Sequence, residues 1–261
     1  MLESYGGSKM KIISVNIQKG GCGKTTTVQA IAEILSTEYG KRVLCIDTDA
    51  QCNLSTISGI DLEACQDNTL YDLLRGDKTI SQCIVKTKYY DLVPSSIYLS
   101  QADIEFSRES RDRYMLSQLQ NVTYDFVLID TPPALGYLNS LSLSISDSVL
   151  IPTECSYLAM LGLDQLSTTI NRVKKLVNPN LELLGILMIK YNARTTLNNA
   201  IFSGMQDMAS DMNTKVFDTK IRETIKIREA QSQTVPLTDW ARDCSAMIDY
   251  RNFVHEVMPN L

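Results

Sequence analysis

The sequence predicts a doubly wound α/β fold, with a mostly parallel sheet flanked by helices. Three observations predict it. Short apolar runs alternate with stretches of helical spacing, a glycine-rich segment directly follows the first apolar run, and two later runs end in aspartate. Strands that alternate with helices favour a parallel sheet, because each return to the sheet needs a crossover connection.

The apolar runs and the helical spacing place the individual elements. Strands are predicted over 12–17, 43–46, 90–94, 126–129, 148–152, 184–189 and 215–217. Helices are predicted over 25–39, 111–119, 162–176 and 239–254, with a short helix over 69–75. Most strands are therefore expected to be separated by a helix.

Length and composition favour one domain. The chain has 261 residues, of which 44% are hydrophobic, so it can bury a substantial core. No repeat or proline-rich linker divides it, and we predict a single domain over 11–261. Residues 1–10 include Gly6-Gly7-Ser8 and are predicted to be a flexible N-terminal lead.

Composition also argues against several classes of protein. No apolar run approaches the roughly 20 residues that cross a bilayer, and no signal peptide is recognised, so a cytoplasmic protein is expected. The seven cysteines form no C-x-x-C pair, and the one histidine, His255, falls in the last predicted helix. We therefore expect reduced thiols and no metal cluster.

The segment from Lys19 to Thr26 reads KGGCGKTT and lies where the first strand gives way to a helix. Glycines can adopt positive φ, which lets successive backbone N–H groups point into one concavity and hold phosphate oxygens. A lysine after such a loop contacts the β- and γ-phosphates, and the hydroxyl next to it binds Mg²⁺. A glycine-rich turn with surface lysines is the alternative. The predicted nucleotide-binding residues are Gly20, Gly21, Cys22, Gly23, Lys24, Thr25 and Thr26.

Aspartates follow two of the predicted strands. The run 43–46 ends in Asp47-Thr-Asp49, and the run 126–129 ends in Asp130-Thr-Pro-Pro. Open α/β sheets bind ligands at the carboxyl ends of their strands, so these carboxylates are expected near the glycine-rich loop. Alone, Asp130 would be interpreted as a strand cap. Downstream of a phosphate loop, it indicates a magnesium ligand.

These motifs together resemble those of the deviant Walker A ATPases, the ParA/MinD family, with the nitrogenase iron protein as a more distant relative. The strict loop G-x-x-x-x-G-K-[ST] is not met, because its first glycine falls at Gln18, but Lys19 supplies the family's additional lysine. Segments 47–51 and 130–136 resemble the family's D-x-D-P-Q and D-x-P-P-x-L-G motifs, with Ala50 in place of proline. Looser matches follow at 151–163 and 216–236. Within the family, the chain resembles the ParA/Soj-type partition ATPases.

The resemblance implies an ATPase that uses ATP and Mg²⁺ and that dimerises when ATP is bound. Lys24 would bind the β/γ-phosphates, Thr25 the metal and Thr26 the α-phosphate, while Asp130 would lie in the metal's outer shell. Asp49 would orient the attacking water with support from Asp47, and Lys19 would reach the partner subunit's nucleotide.

The resemblance also implies partners. An ATP-bound ParA dimer binds DNA without sequence preference, and a centromere-binding ParB-like protein stimulates hydrolysis, which drives plasmid or chromosome partition at the nucleoid. The net charge of −5 disfavours nucleic acid globally, although a local patch can suffice. The predicted patch is Lys220, Arg222, Lys226 and Arg228; the weaker candidate is Arg172, Lys174 and Lys175. Alternatively, the first set is a solvated helix face neutralised by Glu223 and Glu229.

Three other functions remain open. A MinD-like membrane or protein-positioning ATPase would need a C-terminal amphipathic helix with a basic face. The segment 239–258 is acidic, and we interpret Trp240, Met247, Ile248 and Val254 as a core-packing stripe, so no membrane contact is predicted. A metabolic ATP-dependent enzyme would not need Lys19. A module that binds ATP without hydrolysing it is disfavoured because all three aspartates are present.

Overall fold

The computed structural model describes residues 10–106, 111–191 and 196–261. In this part of the chain, eight strands form one sheet: β1 Lys11–Val15, β2 Val43–Asp47, β3 Val85–Lys86, β4 Asp91–Val93, β5 Phe126–Asp130, β6 Ser148–Glu154, β7 Glu182–Tyr191 and β8 Val216–Arg222. The helices are α1 Lys24–Tyr39, α2 Asn53–Ile57, α3 Leu70–Arg75, α4 Ile80–Cys83, α5 Ala102–Glu105, α6 Asp112–Leu119, α7 Tyr137–Ile145, α8 Tyr157–Leu176, α9 Thr196–Asp211, α10 Ile225–Ser232, α11 Leu237–Trp240 and α12 Ser245–Val257.

The strand order is β3-β4-β2-β5-β1-β6-β7-β8, and every neighbouring pair is parallel except β3 with β4. The predicted fold class is thereby confirmed. All seven predicted strands are present. The short β3 was not predicted, since two residues are too few to show a periodic pattern.

Helices cover both faces of the sheet, because side chains alternate between the faces along each strand. Leu128 of β5 packs with α1 and α12, whereas its neighbour Val127 packs with α3, α6 and α7. On one face, strands β6 and β7 pack against α8 and α9. The strands therefore have apolar layers on both faces, and their carboxyl ends form the accessible edge.

Helix α1 determines the position of the candidate site, because it begins directly after the glycine-rich loop. It begins at Lys24 after Gly23 and ends at Gly40, which adopts positive φ and donates its N–H to the Leu35 carbonyl. Buried residues along one face, including Val28, Ile31 and Leu35, fix it against the sheet. The first turn of α1 is thus held beside the ends of β1 and β5.

The C-terminal region differs from its prediction. The single helix expected over 239–254 is divided into α11 and α12, with a break over 241–244. Met247 and Val254 are buried as expected, but Trp240 is 46% exposed and Ile248 42%. The packing stripe was therefore half right: the break separates Trp240 from α12, and Ile248, next to Met247 in α12, faces about 100° away from it around the helix. Residues 1–9 of the predicted lead lie outside the described residues.

Candidate functional site

The predicted site residues meet at the carboxyl edge of the sheet. Strand β1 lies between β5 and β6, so the loop after β1 lies beside the ends of these two strands. The end of β2 is the next one along, because β2 pairs with the other side of β5. Asp47 and Asp130 are register partners at the ends of β2 and β5. The carboxylates and the loop are thus brought together by strand order.

Two of the three loop glycines adopt positive φ: Gly21 at 74° and Gly23 at 61°. A Cβ at Gly23 would also lie 2.6 Å from Cδ1 of Ile189, so a side chain there would require Ile189 to move. Gly20 was expected to share this conformation but does not. A Cβ added at Gly20 would meet no atom within 4 Å, so the turn depends on Gly21 and Gly23 alone.

Lys24 is buried at the start of α1, with its ammonium turned back over the loop. Its Nζ donates to the carbonyl oxygens of Ile17 at 3.4 Å and Lys19 at 3.3 Å. Burial lowers the pKa of Lys24, and the charge of Asp130 opposes this shift. A phosphate group in the loop would supply the negative charge that this buried ammonium lacks.

Thr25 and Asp130 form a direct contact across the loop. The Thr25 hydroxyl donates to Asp130 Oδ2 at 2.7 Å, while the buried Oδ1 has no hydrogen-bond partner. Burial, followed by the charge of Asp47, raises the pKa of Asp130 to about 8. A buried carboxylate with a spare oxygen and a raised pKa is a favourable place for a cation.

This donor set fits Mg²⁺. Among the described residues, no group of three or more His, Cys, Asp or Glu side chains is placed to hold a metal ion. Mg²⁺ does not need one, since it binds through one or two protein oxygens while water and substrate phosphates complete its octahedron. The hydroxyl of Thr25 and the carboxylate of Asp130 are oxygen ligands of this kind.

Asp47 and Asp49 are held by a hydrogen-bond network. Fully buried Asp47 accepts from the Ser55 backbone N–H at 2.9 Å, from the Ser55 hydroxyl at 2.7 Å and from the Asp49 N–H at 3.1 Å. Burial raises the pKa of Asp47 to about 6, although the bonds from Ser55 oppose the shift. Asp49 is only partly buried, and the Ser95 hydroxyl donates to its backbone carbonyl at 2.6 Å. Asp47 therefore fixes the loop that presents Asp49.

Lys19 lies on the other side of the loop, in a three-residue ion cluster. Its Nζ is 3.3 Å from Glu154 Oε2, and Lys190 Nζ is 2.6 Å from the other oxygen of Glu154. Lys190 also donates to the Gly21 carbonyl at 2.9 Å. Burial alone would raise the pKa of Glu154, but Lys190 and Lys19 together hold it below its usual value.

Sequence reasoning assigned no role to Glu154 or Lys190. Glu154 ends β6, one strand from the loop, and falls in a segment that matches the family only loosely. Lys190 is 169 residues from Gly21 in sequence and is positioned by an unusual backbone φ of 49°. Neither feature leaves a local sequence signal.

A cavity of about 150 Å³ opens beside Gly23 and Thr26. Its lining is partly apolar, through Ile221 and Ile227, and partly polar, through Gln231, whose side-chain amide donates to the Thr26 hydroxyl at 3.1 Å. A concave, partly apolar space next to a phosphate-binding loop is suited to a nucleoside.

The predicted DNA-binding cluster is not a uniform basic surface. Arg222 is held by Asp249 through two hydrogen bonds of 2.9 and 2.8 Å and lines the cavity described above. Lys226 forms an ion pair with Glu229 at 2.8 Å. The ammonium of Lys220 lies over the rings of Tyr191 and Phe202. Exposed Arg228 also lines this cavity, at its rim.

The fold and the site together define a nucleotide-binding α/β protein with a phosphate loop. Residues 10–183 match the AAA_31 family, described as an AAA domain. Over 256 residues, the chain is 33% identical to the chromosome partitioning protein ParA of Caulobacter vibrioides, covering 95% of this chain and 94% of that protein. It is 37% identical to the sporulation initiation inhibitor protein Soj of Bacillus subtilis, with coverages of 87% and 90%.

A solved structure with a bound nucleotide analogue has the same fold. Cobyrinic acid a,c-diamide synthase of Mycobacterium smegmatis, with a bound ATP analogue and magnesium, superposes with a TM-score of 0.82 at 30% identity, covering 96% of this chain and 95% of that one. The chain belongs to the ParA/Soj family of partition and positioning ATPases. The family predicted from the loop and the aspartates is confirmed.

Proposed function

We propose that this protein is an ATP-dependent dimerising switch that binds DNA without sequence preference and hydrolyses ATP slowly under stimulation by a partner, for plasmid or chromosome partition. The observation that carries the proposal is the Thr25–Asp130 hydrogen bond beside the loop, with Asp130 Oδ1 unpartnered. The relatives named for partition support the biological process.

ATP and Mg²⁺ are the ligands that the site fits. Loop N–H groups, with the start of α1, would hold the phosphates, and Lys24 would neutralise the β/γ-phosphate charge. Thr25 and Asp130 would hold the Mg²⁺ shell, and Thr26 would contact the α-phosphate. The cavity bounded by Ile227 and Gln231 would take the nucleoside. Bound Mg²⁺ supplies charge neutralisation at the phosphate oxygens.

Hydrolysis requires an oriented water, since phosphoryl transfer depends on positioning and charge stabilisation. Asp49 is the partly exposed carboxylate beside the loop, and its backbone is fixed by Asp47 and Ser95. We assign it to the attacking water. Asp47 accepts three hydrogen bonds and is fully buried, so its role is to hold this loop.

Dimerisation is supported by the lysine side of the loop. Lys19 is partly exposed, and three exposed apolar side chains, Tyr157, Leu158 and Leu161, lie on the first turns of α8, which follows directly after Glu154 and β6. Exposed apolar groups next to a charged site are typical of an interface. A second copy facing this surface would bring its own Lys19 towards the nucleotide, and ATP would then act as the dimerisation signal.

DNA contact is assigned to Lys220, Arg222, Lys226 and Arg228 on β8 and α10. Arg222 and Lys226 have carboxylate partners, so each chain offers little free positive charge. A dimer doubles the patch, which is one reason to expect DNA binding only in the ATP state. The further partner would be a ParB-like centromere-binding protein, and the expected location is the cytoplasm, on the nucleoid.

A membrane-binding C-terminal helix is not supported. The apolar face of α12, including Met247, Phe253 and Val254, is buried against α1 and the sheet. Among the described residues, none of the helices combines the length and hydropathy needed to span a bilayer. Because the apolar face of α12 is already packed, a membrane-positioning switch would need a binding element other than α12.

The proposal is tested by binding to a random-sequence DNA duplex without nucleotide and with ADP, ATP or a slowly hydrolysed ATP analogue, at two salt concentrations. We expect binding only in the ATP states, weakened by salt and by Lys226→Ala, and absent for Lys19→Ala. Lys41→Ala, two residues beyond the end of α1, is the matched control. Equal DNA binding in all nucleotide states, or no DNA binding in any of them, would overturn the DNA-switch proposal.

A further inference from the structure

Glu154 holds two lysines of its own chain with unequal strength. Lys190 Nζ lies 2.6 Å from Glu154 Oε1, whereas Lys19 Nζ lies 3.3 Å from Oε2. Hydrogen bonds between an ammonium and a carboxylate are usually about 2.7–2.9 Å long, so only the contact of Lys19 is stretched. Lys190 also donates to the Gly21 carbonyl at 2.9 Å, while the second contact of Lys19, to the Ser156 hydroxyl, is 3.4 Å long. Lys19 is therefore the more weakly held of the two lysines.

The backbone at the end of β7 brings Lys190 to Glu154. Ile189 is the register partner of Glu154, and the next residue, Lys190, adopts a left-handed φ of 49°. The pairing of β7 with β8 is irregular at the same point, between Met188 and Tyr191. A left-handed backbone is uncommon for lysine and persists where the surrounding structure imposes it, which occurs mostly at functional sites. The backbone, as well as the ion pair, therefore fixes the position of Lys190.

Glu154 lies close enough to the phosphate loop for its charge to act there. Its side chain is 26% exposed, so water compensates only part of that charge. Burial raises the pKa of the Cys22 thiol in the loop, and the charge of Glu154 raises it further. A carboxylate without a cation at this position would also repel a bound triphosphate. A loop that holds ATP therefore needs a lysine beside Glu154.

Lys19 cannot neutralise Glu154 and act on the nucleotide of a second chain at the same time. The role assigned to Lys19 takes its ammonium group away from its own chain. Lys190 can remain with Glu154, because its shorter contacts are both to atoms of its own chain. Two ammonium groups on one carboxylate also repel each other, which weakens the hold of Glu154 on Lys19. The three side chains are therefore arranged so that Lys19 leaves and Lys190 stays.

We propose that Lys190 is a positioning residue of the ATP site, which neutralises Glu154 so that Lys19 can leave its own chain and reach the nucleotide of a second copy. This role rests on the proposed function, because Lys19 leaves its chain only in the proposed dimer. The balance between Glu154 and Lys190 would then set the protein concentration at which ATP joins two chains.

The test is a double-mutant cycle on the dimerisation of the full-length chain. Sedimentation is measured over a range of protein concentrations with Mg²⁺ and a slowly hydrolysed ATP analogue. Lys190→Met keeps a long side chain without the charge, so Glu154 should retain Lys19 and the dimer dissociation constant should rise about twofold to fivefold. Lys190→Arg keeps the charge and should dimerise as the wild type does. Lys88→Met, which breaks an exposed pair with Asp239, is the matched control and should have no effect.

The other half of the cycle introduces Lys190→Met into Glu154→Gln. Without the carboxylate there is no charge for Lys190 to neutralise, so the double variant should dimerise as Glu154→Gln alone does. If Lys190→Met weakens the dimer equally in both backgrounds, Lys190 acts through the Gly21 carbonyl and the shape of the loop. That result would overturn the proposed role, because a merely structural effect does not depend on Glu154.

Two further results distinguish this role from the proposed function. If the wild type dimerises with the analogue and Lys190→Met dimerises equally well or better, the role of Lys190 is wrong while the dimerising switch stands. If the wild type stays monomeric with the analogue at every concentration, the dimerising switch fails and the role of Lys190 fails with it.

Discussion

The two flanks of the phosphate loop are constructed differently. On the carboxylate flank, Asp47 and Asp130 end adjacent strands, are buried, and are held by Ser55 and Thr25. On the lysine flank, Lys19 and Lys190 are partly exposed and share one carboxylate, Glu154. Buried hydrogen-bonded groups are fixed, whereas exposed ion pairs exchange partners at little cost. We therefore expect the carboxylate flank to work within one chain and the lysine flank to work between two chains.

The largest effect is expected on the carboxylate flank, from Asp130→Asn. The amide keeps the shape but removes the negative charge next to Thr25, so hydrolysis should fall by about 10²-fold to 10³-fold at saturating Mg²⁺. Phosphate release measured across a Mg²⁺ titration tests this. Asp125→Asn, just before the same strand and paired with Arg42, is the control and should keep wild-type activity. Equal activities for the two variants would contradict the metal assignment.

Asp49→Asn should separate hydrolysis from binding. The side chain is partly exposed and accepts a hydrogen bond from the Gln51 N–H at 3.0 Å, so its change should leave nucleotide affinity unaltered. Hydrolysis should fall by about 10²-fold, the scale of a lost general base. Single-turnover phosphate release and binding of a slowly hydrolysed analogue measure the two quantities. A parallel loss of affinity would show that Asp49 holds the nucleotide instead.

The two loop lysines should behave differently in binding. Lys24→Ala removes a buried charge-assisted contact and should weaken MgATP binding to the monomer by about tenfold to 100-fold. Lys19→Ala should leave monomer binding unchanged and prevent ATP-dependent dimerisation. Calorimetry at low protein concentration measures the first effect, and light scattering measures the second. If Lys19→Ala weakens monomer binding as much as Lys24→Ala, Lys19 acts within its own chain.

The smallest effect is expected from Glu154→Gln. Removing this carboxylate frees Lys19 and Lys190 from partly exposed ion pairs that are each worth about 0.2–1 kcal/mol. ATP-dependent dimerisation should therefore require about twofold to fivefold less protein, as seen in the dimerisation constant. Glu182→Gln, exposed at the start of β7, is the control. A weakened dimer would mean that Glu154 contributes to the interface itself.

Elements of the fold with a local sequence signal were predicted, and elements that depend on contacts between distant residues were not. Strands that are buried on both faces, such as β2 and β5, have continuous apolar runs, and their positions were predicted to within a residue or two. Helix α7 was not predicted, because Leu141 to Ile145 alternates leucine and serine as a strand would. Its serines instead donate to carbonyls four residues earlier, as Ser142 does to Leu138 and Ser146 to Ser142. Tertiary packing decided that element.

The residues of the candidate site also fall into those that a local motif predicts and those that only the fold brings together. The loop and the three aspartates lie in short motifs at strand ends, so residue type and spacing were enough to find them. Glu154 and Lys190 become neighbours of Lys19 only because β6 and β7 follow β1 in the sheet order, and Arg222 becomes a cavity residue only because Asp249 of α12 holds it. Contacts set by strand order and by ion pairs between distant residues have no period in the sequence.

The most direct test of the difference between the flanks mixes two inactive variants, Lys19→Ala and Asp49→Ala, and measures ATP hydrolysis. If Lys19 acts across a two-fold dimer, one site of each mixed dimer contains both an intact Asp49 and the partner's intact lysine. At a protein concentration high enough for Lys19→Ala chains to pair, equal amounts of the two variants should then restore about a quarter of wild-type activity. If the mixture is no more active than the sum of the two variants, Lys19 acts within its own chain, and the account of the lysine flank is contradicted.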